Sequence, residues 1–331
     1  MNDLLRIAIS MIPGLRCRER LLIEECCTDE NIFRRLARSA VEEMVGRRLR
    51  IRSEYPDHSE LLGRADRIQR TLGPNRVYLA GFWDAHYPPQ LRECSDPVYL
   101  LYVRGKLPAY DVPMVAIVGT RRPSMQARGA AFSLAAEFGC IGIPVVSGLA
   151  FGIDAAAHWG SVKTGQVTIA VLGTGIDYIY PAEHRELARR ILENGGALLS
   201  EKPPGSPVGQ YDFPRRNRII SGLVRGVVIV EAPEKSGALI TAEWAVEDNR
   251  NVYIHTAGTS GSRSGGTRRL AAEGAMCISH AGQVLTDWEI VHDVPRIRRI
   301  DTCDLHPAEL IRGEMDEDVL RFCGMYYRRV G

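Results

Sequence analysis

The sequence lacks the short motifs that mark most metal sites and nucleotide-hydrolysing sites. Its eight cysteines, at positions 17, 26, 27, 94, 140, 277, 303 and 323, form no C-x-x-C pair, so we predict no zinc site. The phosphate-binding loop G-x-x-x-x-G-K-[ST] and the dinucleotide fingerprint G-x-G-x-x-G are both absent. These absences argue against ATP hydrolysis and against NAD binding.

Net charge and long apolar segments are also scarce. The chain carries 42 Lys and Arg against 40 Asp and Glu, a net charge of +2, so any binding of a polyanion must come from local clusters of charge. The start, "MNDLLRIAIS", lacks the basic beginning and the cleavage site of a signal peptide, and no apolar run is long enough to span a membrane. We therefore expect a cytoplasmic protein, without membrane association, whose cysteines are free thiols.

The residues that are present indicate several structural units. A chain of 331 residues with 45% hydrophobic content suits two or three domains. Residues 1–75 have apolar positions at three- and four-residue spacing, which predicts a small helical domain. Residues 76–113 contain short extended runs between prolines and are predicted to be a connector. Residues 291–331 are predicted to be a short tail, with room for one or two helices.

Residues 114–290 show a different pattern. Near-continuous apolar runs, "MVAIVG", "IPVVSG", "VTIAVLG", "GALLSE", "GVVIVE" and "NVYIHT", alternate with segments of helical spacing. Strands that are apolar throughout are covered on both faces, and their alternation with helices is typical of a parallel sheet. We therefore predict an α/β domain with a doubly wound, mostly parallel sheet.

The ends of these predicted strands carry small and basic residues. In an open parallel sheet, ligands bind past the carboxyl ends of the strands. Glycines let backbone N–H groups approach an anion, and arginine forks bind phosphate in a bidentate way. The sequence therefore predicts a phosphate-binding crevice. Its candidate residues are Gly119, Thr120, Arg121, Arg122, Ser147, Gly148, Gly173, Gly175, Arg185, Arg215, Arg216, Asn217, Arg218, Ser236, Gly237, Gly266, Thr267 and Arg268.

The stretch "FPRRNRIISGL", residues 213–223, combines an apolar half with a basic half. Ile219 and Ile220 are expected to dock on the sheet, which leaves the arginines at the mouth of the crevice. Three adjacent arginines cannot all face one phosphate. We expect one or two to bind the ligand, while another braces the loop through backbone carbonyls or an acid such as Glu201 or Glu231.

Reactive groups are few around the predicted crevice. His158, His184, Asp154 and Asp177 are expected to be helix, cap or anchor residues, not catalysts. The aromatic residues Phe151, Tyr211 and Phe213 are candidates for stacking on bases, and core packing is an equal alternative for Phe213. A crevice rich in anion-binding groups and poor in reactive ones favours a binding protein over an enzyme.

Seven motifs, in chain order, resemble the DNA-processing protein A (DprA/Smf) family of bacteria. They are "VAIVGTR" (115–121), "VVSGLAFGIDAAAH" (145–158), "IAVLGTGIDYIYPAEH" (169–184), "LLSEKPPG" (198–205), "FPRRNRIISGL" (213–223), "VVIVEAPEKSGALITAEWA" (227–245) and "GGTRRLAAEGA" (265–275). The segment "HYPPQLRECSDPVYLLYVRG" (86–105) is similar to the stretch that precedes them in the family.

The resemblance implies an extended Rossmann-like domain that binds single-stranded DNA without sequence specificity, preceded by a sterile-alpha-motif-like helical domain. It implies a dimer that helps to load the RecA recombinase in natural transformation, without catalytic activity and without a cofactor. Arg121 corresponds to a DNA-contacting position of the family. The basic loop with Arg215, Arg216 and Arg218 is expected beside the same pocket.

The chain departs from the family pattern in four places, and other functions remain open. His184 replaces a frequent Asn, Phe151 replaces a basic residue, residues 256–258 replace a Val-Pro-Gly, and the winged-helix domain is reduced to the tail or absent. The main alternative is a nucleotide-binding sensor module of related fold that uses the same crevice. A phosphoribohydrolase is disfavoured because its P-G-G-x-G-T-x-x-E signature is missing. A duplex-binding protein is disfavoured because no recognition helix is evident.

Overall fold

The N-terminal region is helical, as its spacing predicts. The structure is a computed structural model that describes residues 2–51, 54–291, 294–300, 319–323 and 325–330. Side chains of Asn2, Asp29 and Asp57 accept hydrogen bonds from backbone N–H groups at the starts of the first, third and fifth helices, where those donors have no partner within the helix. The helices are α1 (Asp3–Ser10), α2 (Cys17–Cys26), α3 (Glu30–Arg35), α4 (Arg38–Met44) and α5 (His58–Leu72).

Strands and helices then alternate. In chain order they are β1 (Val77–Gly81), β2 (Leu100–Gly105), β3 (Val115–Val118), α6 (Met125–Cys140), β4 (Val145–Ser147), α7 (Ile153–Lys163), β5 (Thr168–Leu172), α8 (Arg185–Glu193), β6 (Ala197–Ser200), α9 (Asp212–Gly222), β7 (Gly226–Ile229), α10 (Gly237–Glu247), β8 (Asn251–His255), α11 (Gly265–Ala272), β9 (Met276–Ile278) and α12 (Ala281–Asp287). Short 3-10 turns lie at residues 89–92, 182–184 and 256–258. Within the described ranges, none of the helices has the length and apolar character needed to cross a bilayer.

A nine-stranded sheet with the order β1-β2-β6-β5-β4-β3-β7-β8-β9 organises the molecule. Strands β3 to β9 pair in parallel, and β1 and β2 join through antiparallel pairing of β2 with β6. The predicted doubly wound, mostly parallel α/β fold is thus confirmed. The stretch predicted as a connector, residues 76–113, supplies the two antiparallel strands.

The chain reverses direction across the sheet between β3 and β7. It steps from β3 outward to β6, and β7 then returns to the other side of β3. Helices α6, α7 and α12 share one core with β3, and α9 and α10 share another core with the opposite face of that strand. Strand β3 is buried along its whole length, which explains its uniformly apolar sequence. Such a point of reversal opens a crevice at the carboxyl ends of the two strands.

One hydrophobic core joins the N-terminal helices to the sheet. It contains Ile7 of α1 and Phe33 of α3 together with Tyr102 of β2 and Leu198 of β6, all fully or almost fully buried. The helical region therefore packs directly on the β1-β2-β6-β5 side of the sheet.

The described residues of the tail form strands, where the sequence suggested room for helices. The strands β10 (Arg296–Ile300), β11 (Val319–Phe322) and β12 (Met325–Val330) pair antiparallel in the order β10-β12-β11. Buried Glu137 of α6 accepts hydrogen bonds from the backbone N–H groups of Ala281 and Ile297, and so ties α12 and β10 to α6. Residues 301–318 lie outside the described part.

Candidate nucleic-acid interface

A crevice of about 460 Å³ lies at the carboxyl ends of β3 and β7, where the segments that follow the two strands separate. Three segments form its walls: the loop after β3, the first turn of α9 and the start of α10. This is the place that the strand order predicts for a ligand. We call it the switch-point crevice, lined by residues 118–122, 213–214, 216–217, 233 and 235–238 together with Ala150, Asp154, Ile220, Thr241 and Arg263.

Glu231, just past the end of β7, fixes the loop that follows β3. Its side chain, 2% exposed, accepts a hydrogen bond from the N–H of Ser124 at 2.7 Å, and its carbonyl oxygen accepts one from the N–H of Thr120 at 2.7 Å. Both ends of the loop are therefore anchored. Arg121 and Arg122 lie between these anchors and are exposed.

The floor of the crevice contains two buried groups of opposite charge. Arg216 donates from Nη1 to the carbonyl oxygen of Gly148 at 2.7 Å and to that of Val171. The Asp154 carboxylate accepts from the N–H groups of Gly148 at 3.2 Å and Ala150 at 3.4 Å. Burial lowers the pKa of Arg216 to about 10 despite the opposing charge of Asp154, and burial raises the pKa of Asp154 despite the charge of Arg216. Arg216 is therefore still a cation at neutral pH.

Arg218 lies on another face of α9 and braces the helix. Its side chain is 2% exposed, with Nε 2.8 Å from an Asp96 oxygen and Nη2 2.8 Å from a Glu201 oxygen. Burial alone would lower the pKa of Arg218, but the charges of Glu201 and Asp96 outweigh burial and leave it raised. The expectation that one arginine of this stretch braces it through an acid such as Glu201 is confirmed for Arg218. Arg216 does the same through backbone carbonyls.

Four exposed cations surround the opening of the crevice. They are Arg121, Arg122, Lys235 and Arg263, and Arg263 also donates to the carbonyl oxygen of Arg122 at 3.1 Å. Among the described residues of the lining, Asp154 is the one carboxylate. The crevice therefore has a positive potential that attracts phosphate.

Phe213 lies beside these cations at the start of α9. Its ring centre is 5.7 Å from the Arg121 guanidinium and 5.4 Å from the ring centre of Tyr180. Gly173 makes room for it, because a Cβ at that position would stand 2.7 Å from a ring carbon of Phe213. Phe213 is half-buried and Tyr180 is 44% exposed, so part of the pair is accessible from solvent.

Two further aromatic side chains stand in the open nearby. Phe151 is 43% exposed and its ring lies edge-on to that of His184, with the centres 4.9 Å apart. Tyr211, ahead of α9, is 69% exposed. An aromatic at position 151 thus offers a ring face where the family pattern has a positive charge.

The remaining predicted residues divide into framework and surface. Ser147 and Thr267 are fully buried, and their hydroxyls donate to the carbonyl oxygens of Ile117 and Gly258. With Arg216 and Arg218 they stabilise the walls of the crevice through hydrogen bonds within the protein. Asn217 donates from Nδ2 to the carbonyl oxygen of Gly237 at 3.0 Å, which joins α9 to α10.

Several of the predicted glycines and cap residues have structural roles. The N–H of Gly266 donates to the carbonyl oxygen of Ala232 at 2.8 Å, and a Cβ on Gly175 would meet the carbonyl oxygen of Pro203 at 2.7 Å. Ser236 caps α10 through its hydroxyl.

Three of the predicted arginines, Arg185, Arg215 and Arg268, are exposed but do not line the crevice. Arg268 donates hydrogen bonds to the Gly261 carbonyl oxygen and the Ser264 hydroxyl.

Lys235 and Arg263 are crevice residues that the sequence reasoning did not select. Lys235 directly precedes the predicted Ser236-Gly237 pair, and Arg263 lies in the glycine-rich loop before Gly265. A basic residue within a strand-end loop was therefore an available signal for both.

The candidate acid and base residues have structural partners. His158 Nδ1 lies 2.8 Å from the Thr168 hydroxyl, and His184 Nδ1 lies 2.8 Å from the Leu149 carbonyl oxygen. Asp177 accepts from the N–H of Gly205, so with Asp154 it is an anchor, as predicted. Throughout the described ranges, no group of three or more His, Cys, Asp or Glu residues is placed to hold a metal ion.

Comparison with known proteins assigns the chain to a family. A family model described as DNA recombination-mediator protein A matches residues 78–289, more than half of the chain. The chain belongs to the DprA/Smf family. The DNA processing protein DprA of Bacillus subtilis (strain 168) is 37% identical over 238 residues, which cover 72% of this chain and 79% of that protein. Protein Smf of Escherichia coli (strain K12) is 39% identical over 210 residues, which cover 63% of this chain and 56% of Smf.

Solved DprA structures share the fold. The X-ray structure of DprA from Streptococcus pneumoniae is 31% identical with a TM-score of 0.67, and the match covers 88% of this chain and 99% of that one. DNA processing protein A from Helicobacter pylori, a structure described for its single-stranded DNA binding mode, is 27% identical with a TM-score of 0.58 over 65% of this chain and 96% of that one. Relative to the longer DprA/Smf proteins, such as E. coli Smf, the matched region is little more than half the length.

Proposed function

We propose that this chain binds single-stranded DNA without sequence specificity in the switch-point crevice, and that it is not an enzyme. The observation that carries the proposal is the position of the Arg121 guanidinium over the ring of Phe213, 5.7 Å from the ring centre. A cation beside an aromatic ring is suited to binding single-stranded DNA, because the phosphates pair with the guanidinium while the bases stack on the ring. Neither contact reads the edge of a base, so sequence preference is expected to be weak.

The charges of the crevice support this proposal. Arg121, Arg122, Lys235 and Arg263 are exposed and come from three separate strand-end loops, so they can follow several consecutive phosphates. Neutralising each phosphate of a single strand contributes about 0.7 to the slope of log affinity against log salt concentration. The binding constant is therefore expected to fall steeply as salt rises.

Binding of labelled oligothymidylate, measured by fluorescence anisotropy across a salt series, tests the proposal. Arg121→Ala is expected to weaken binding about tenfold and to reduce the salt slope by about 0.7, because one phosphate contact is lost. Phe213→Ala is expected to cost about 1–3 kcal/mol of stacking without changing the slope. Arg104→Ala is the matched control, because Arg104 is exposed near the end of antiparallel β2, beside the amino end of β6, whereas the crevice lies at the carboxyl ends of the parallel strands.

Parent-like affinity in both Arg121→Ala and Phe213→Ala would show that the strand does not use this crevice. The alternative, a nucleotide-binding sensor, predicts a different pattern. A mononucleotide would then saturate the crevice at one per chain and compete with the oligonucleotide, and affinity would not grow with strand length. Oligonucleotides of other base composition test the lack of sequence preference.

The wider role follows from the family and is part of the proposal. We propose that the chain acts in the cytoplasm as a homodimer and helps to load RecA onto single strands during natural transformation and recombination. The family description as a recombination mediator supports this role. A dimer would place two crevices on one strand and raise the apparent affinity through effective concentration. Light scattering tests the dimer, and RecA-dependent ATP hydrolysis on protein-coated strands tests the loading.

A further inference from the structure

A second basic cavity system lies on the other side of α9 from the switch-point crevice. Two adjoining cavities, of about 240 and 1310 Å³, share Ser10, Met11, Arg20 and Arg215 in their walls. We call them together the Arg20 groove. It separates the N-terminal helices from α9 and from the end of β5. Within the described part of the chain, nine Arg and Lys side chains and four carboxylates line it, so its potential is positive.

Arg20 is buried at the centre of this groove without a carboxylate partner. It is 8% exposed, and its guanidinium makes one hydrogen bond, from Nη2 to the Ile12 carbonyl oxygen at 3.2 Å. Its buried Nε has no partner among the described residues, and within that same part of the chain no acid lies within ion-pair distance of Arg20. A buried cation normally has a paired anion, because its desolvation is otherwise uncompensated.

Glu19, beside Arg20 in the chain, and Glu201, in the wall of the groove, are both paired with other arginines. Glu19, the preceding residue on α2, is paired with Arg47 at 2.6 Å. Glu201, which also lines the groove, is paired with Arg218 at 2.8 Å and with Arg215 at 3.4 Å. Burial lowers the pKa of Arg20, and the charge of Glu201 only partly opposes this. The groove therefore has an excess of positive charge that its own residues do not neutralise.

We propose that the Arg20 groove is a second binding site, for phosphate groups, with Arg20 as its central contact. Arg64 and Arg215 are exposed in the wall of the smaller cavity, where they can hold the outer oxygens of the same or the next phosphate. The phosphate belongs either to a free nucleotide or to a DNA strand that continues past α9. This inference does not rest on the function of the switch-point crevice.

Titration of the full chain with inorganic phosphate and with thymidine monophosphate, by calorimetry at constant ionic strength, is the first test. Arg20→Met keeps the length of the apolar stem and removes the guanidinium, and Arg64→Ala removes an exposed wall contact. Each is expected to weaken binding about tenfold, as for a lost charge-assisted hydrogen bond. Arg18→Ala, an exposed change on the same helix outside the groove, is expected to bind as the parent does.

A length series of single-stranded oligonucleotides separates the two sources of phosphate. If a DNA strand enters the groove, long strands bind more tightly than short ones, and Arg20→Met or Arg64→Ala removes the gain while short strands bind normally. If the source is a free nucleotide, the gain with length is intact and only the calorimetric signal is lost. Either result supports the site.

The proposal is overturned if Arg64→Ala, and Arg20→Met where it folds, match the parent in both the phosphate titrations and the length series. Arg64 is exposed, so its variant is expected to fold and to keep the test decisive. Arg121→Ala distinguishes this failure from failure of the crevice, since it is expected to weaken short strands and to leave phosphate binding in the groove unchanged.

Discussion

Arg216 of α9 donates a hydrogen bond from Nη1 to the carbonyl oxygen of Gly148, 2.7 Å away at the end of β4. Arg216→Met removes this contact and leaves the buried Asp154 carboxylate without its counter-charge. We expect a loss of about 2–4 kcal/mol in the free energy of unfolding, measured by urea denaturation. Arg215→Met, one residue earlier and exposed, is the matched control and is expected to cost less than about 1 kcal/mol. Equal losses in the two variants would contradict the bracing role of Arg216.

Arg218 is expected to matter for stability and not for DNA affinity. Arg218→Met leaves Glu201 and Asp96 without their shared cation, at a cost of about 3 kcal/mol of unfolding free energy. The folded variant is expected to bind oligothymidylate with the parent's affinity.

A double-mutant cycle checks the assignment of this cost. Adding Glu201→Gln to Arg218→Met is expected to destabilise less than the sum of the two single changes, since the two side chains share one ion pair. Strict additivity would show that the pair does not stabilise the fold.

Gly173→Ala is expected to impair binding without removing any charge. The added Cβ would stand 2.7 Å from a carbon of the Phe213 ring, which must then move away from Arg121. We expect affinity for oligothymidylate to fall about tenfold with an unchanged salt slope. Gly237→Ala, in the same crevice, meets no atom within 4 Å and is the control. A loss of affinity in both variants would point to a general effect of side-chain bulk.

Acid is expected to destabilise the fold partly through His158. Burial, with the charges of His184 and Arg216, lowers the pKa of His158 to about 3, whereas an unfolded histidine titrates near 6.5. Between these values the unfolded chain binds the extra proton, so stability is lost as pH falls from about 6.5, on the order of 1 kcal/mol per pH unit. His158→Asn keeps a donor toward Thr168 and removes the titration. Urea denaturation between pH 7 and 4 should therefore show a shallower decline than in the parent. An identical decline would exclude His158 as the cause.

The layers of the fold and the place of the crevice were predictable because both follow from local pattern. Apolar runs such as residues 226–231 mark buried parallel strands, and ligands bind where such strands end. The antiparallel pair β1 and β2 was not predictable, because β2 finds its partner β6 about a hundred positions away. The sequence of β2 is a short apolar run between prolines, which by itself is typical of a connecting segment.

The sequence could predict that at least one of the three arginines has a structural role. It could not predict which of the three that would be. At least one of the three arginines must brace the segment, since three adjacent cations cannot share a phosphate. Which arginine is buried depends on the rotation of α9 and on partners such as Gly148 and Asp96, from other parts of the chain. In the structure, Arg216 and Arg218 are buried and stabilise the fold, whereas Arg215 lines the Arg20 groove.

The core that joins Ile7 and Phe33 to Tyr102 and Leu198 determines how the chain unfolds. Separating the helical region from the sheet would expose apolar surface on both, at about 25 cal/mol for each Å². We therefore expect the two regions to melt as one cooperative unit, although the sequence suggests separate modules. A truncation that begins at residue 76 would yield a sheet with an uncovered apolar face, prone to self-association, and not a smaller working protein.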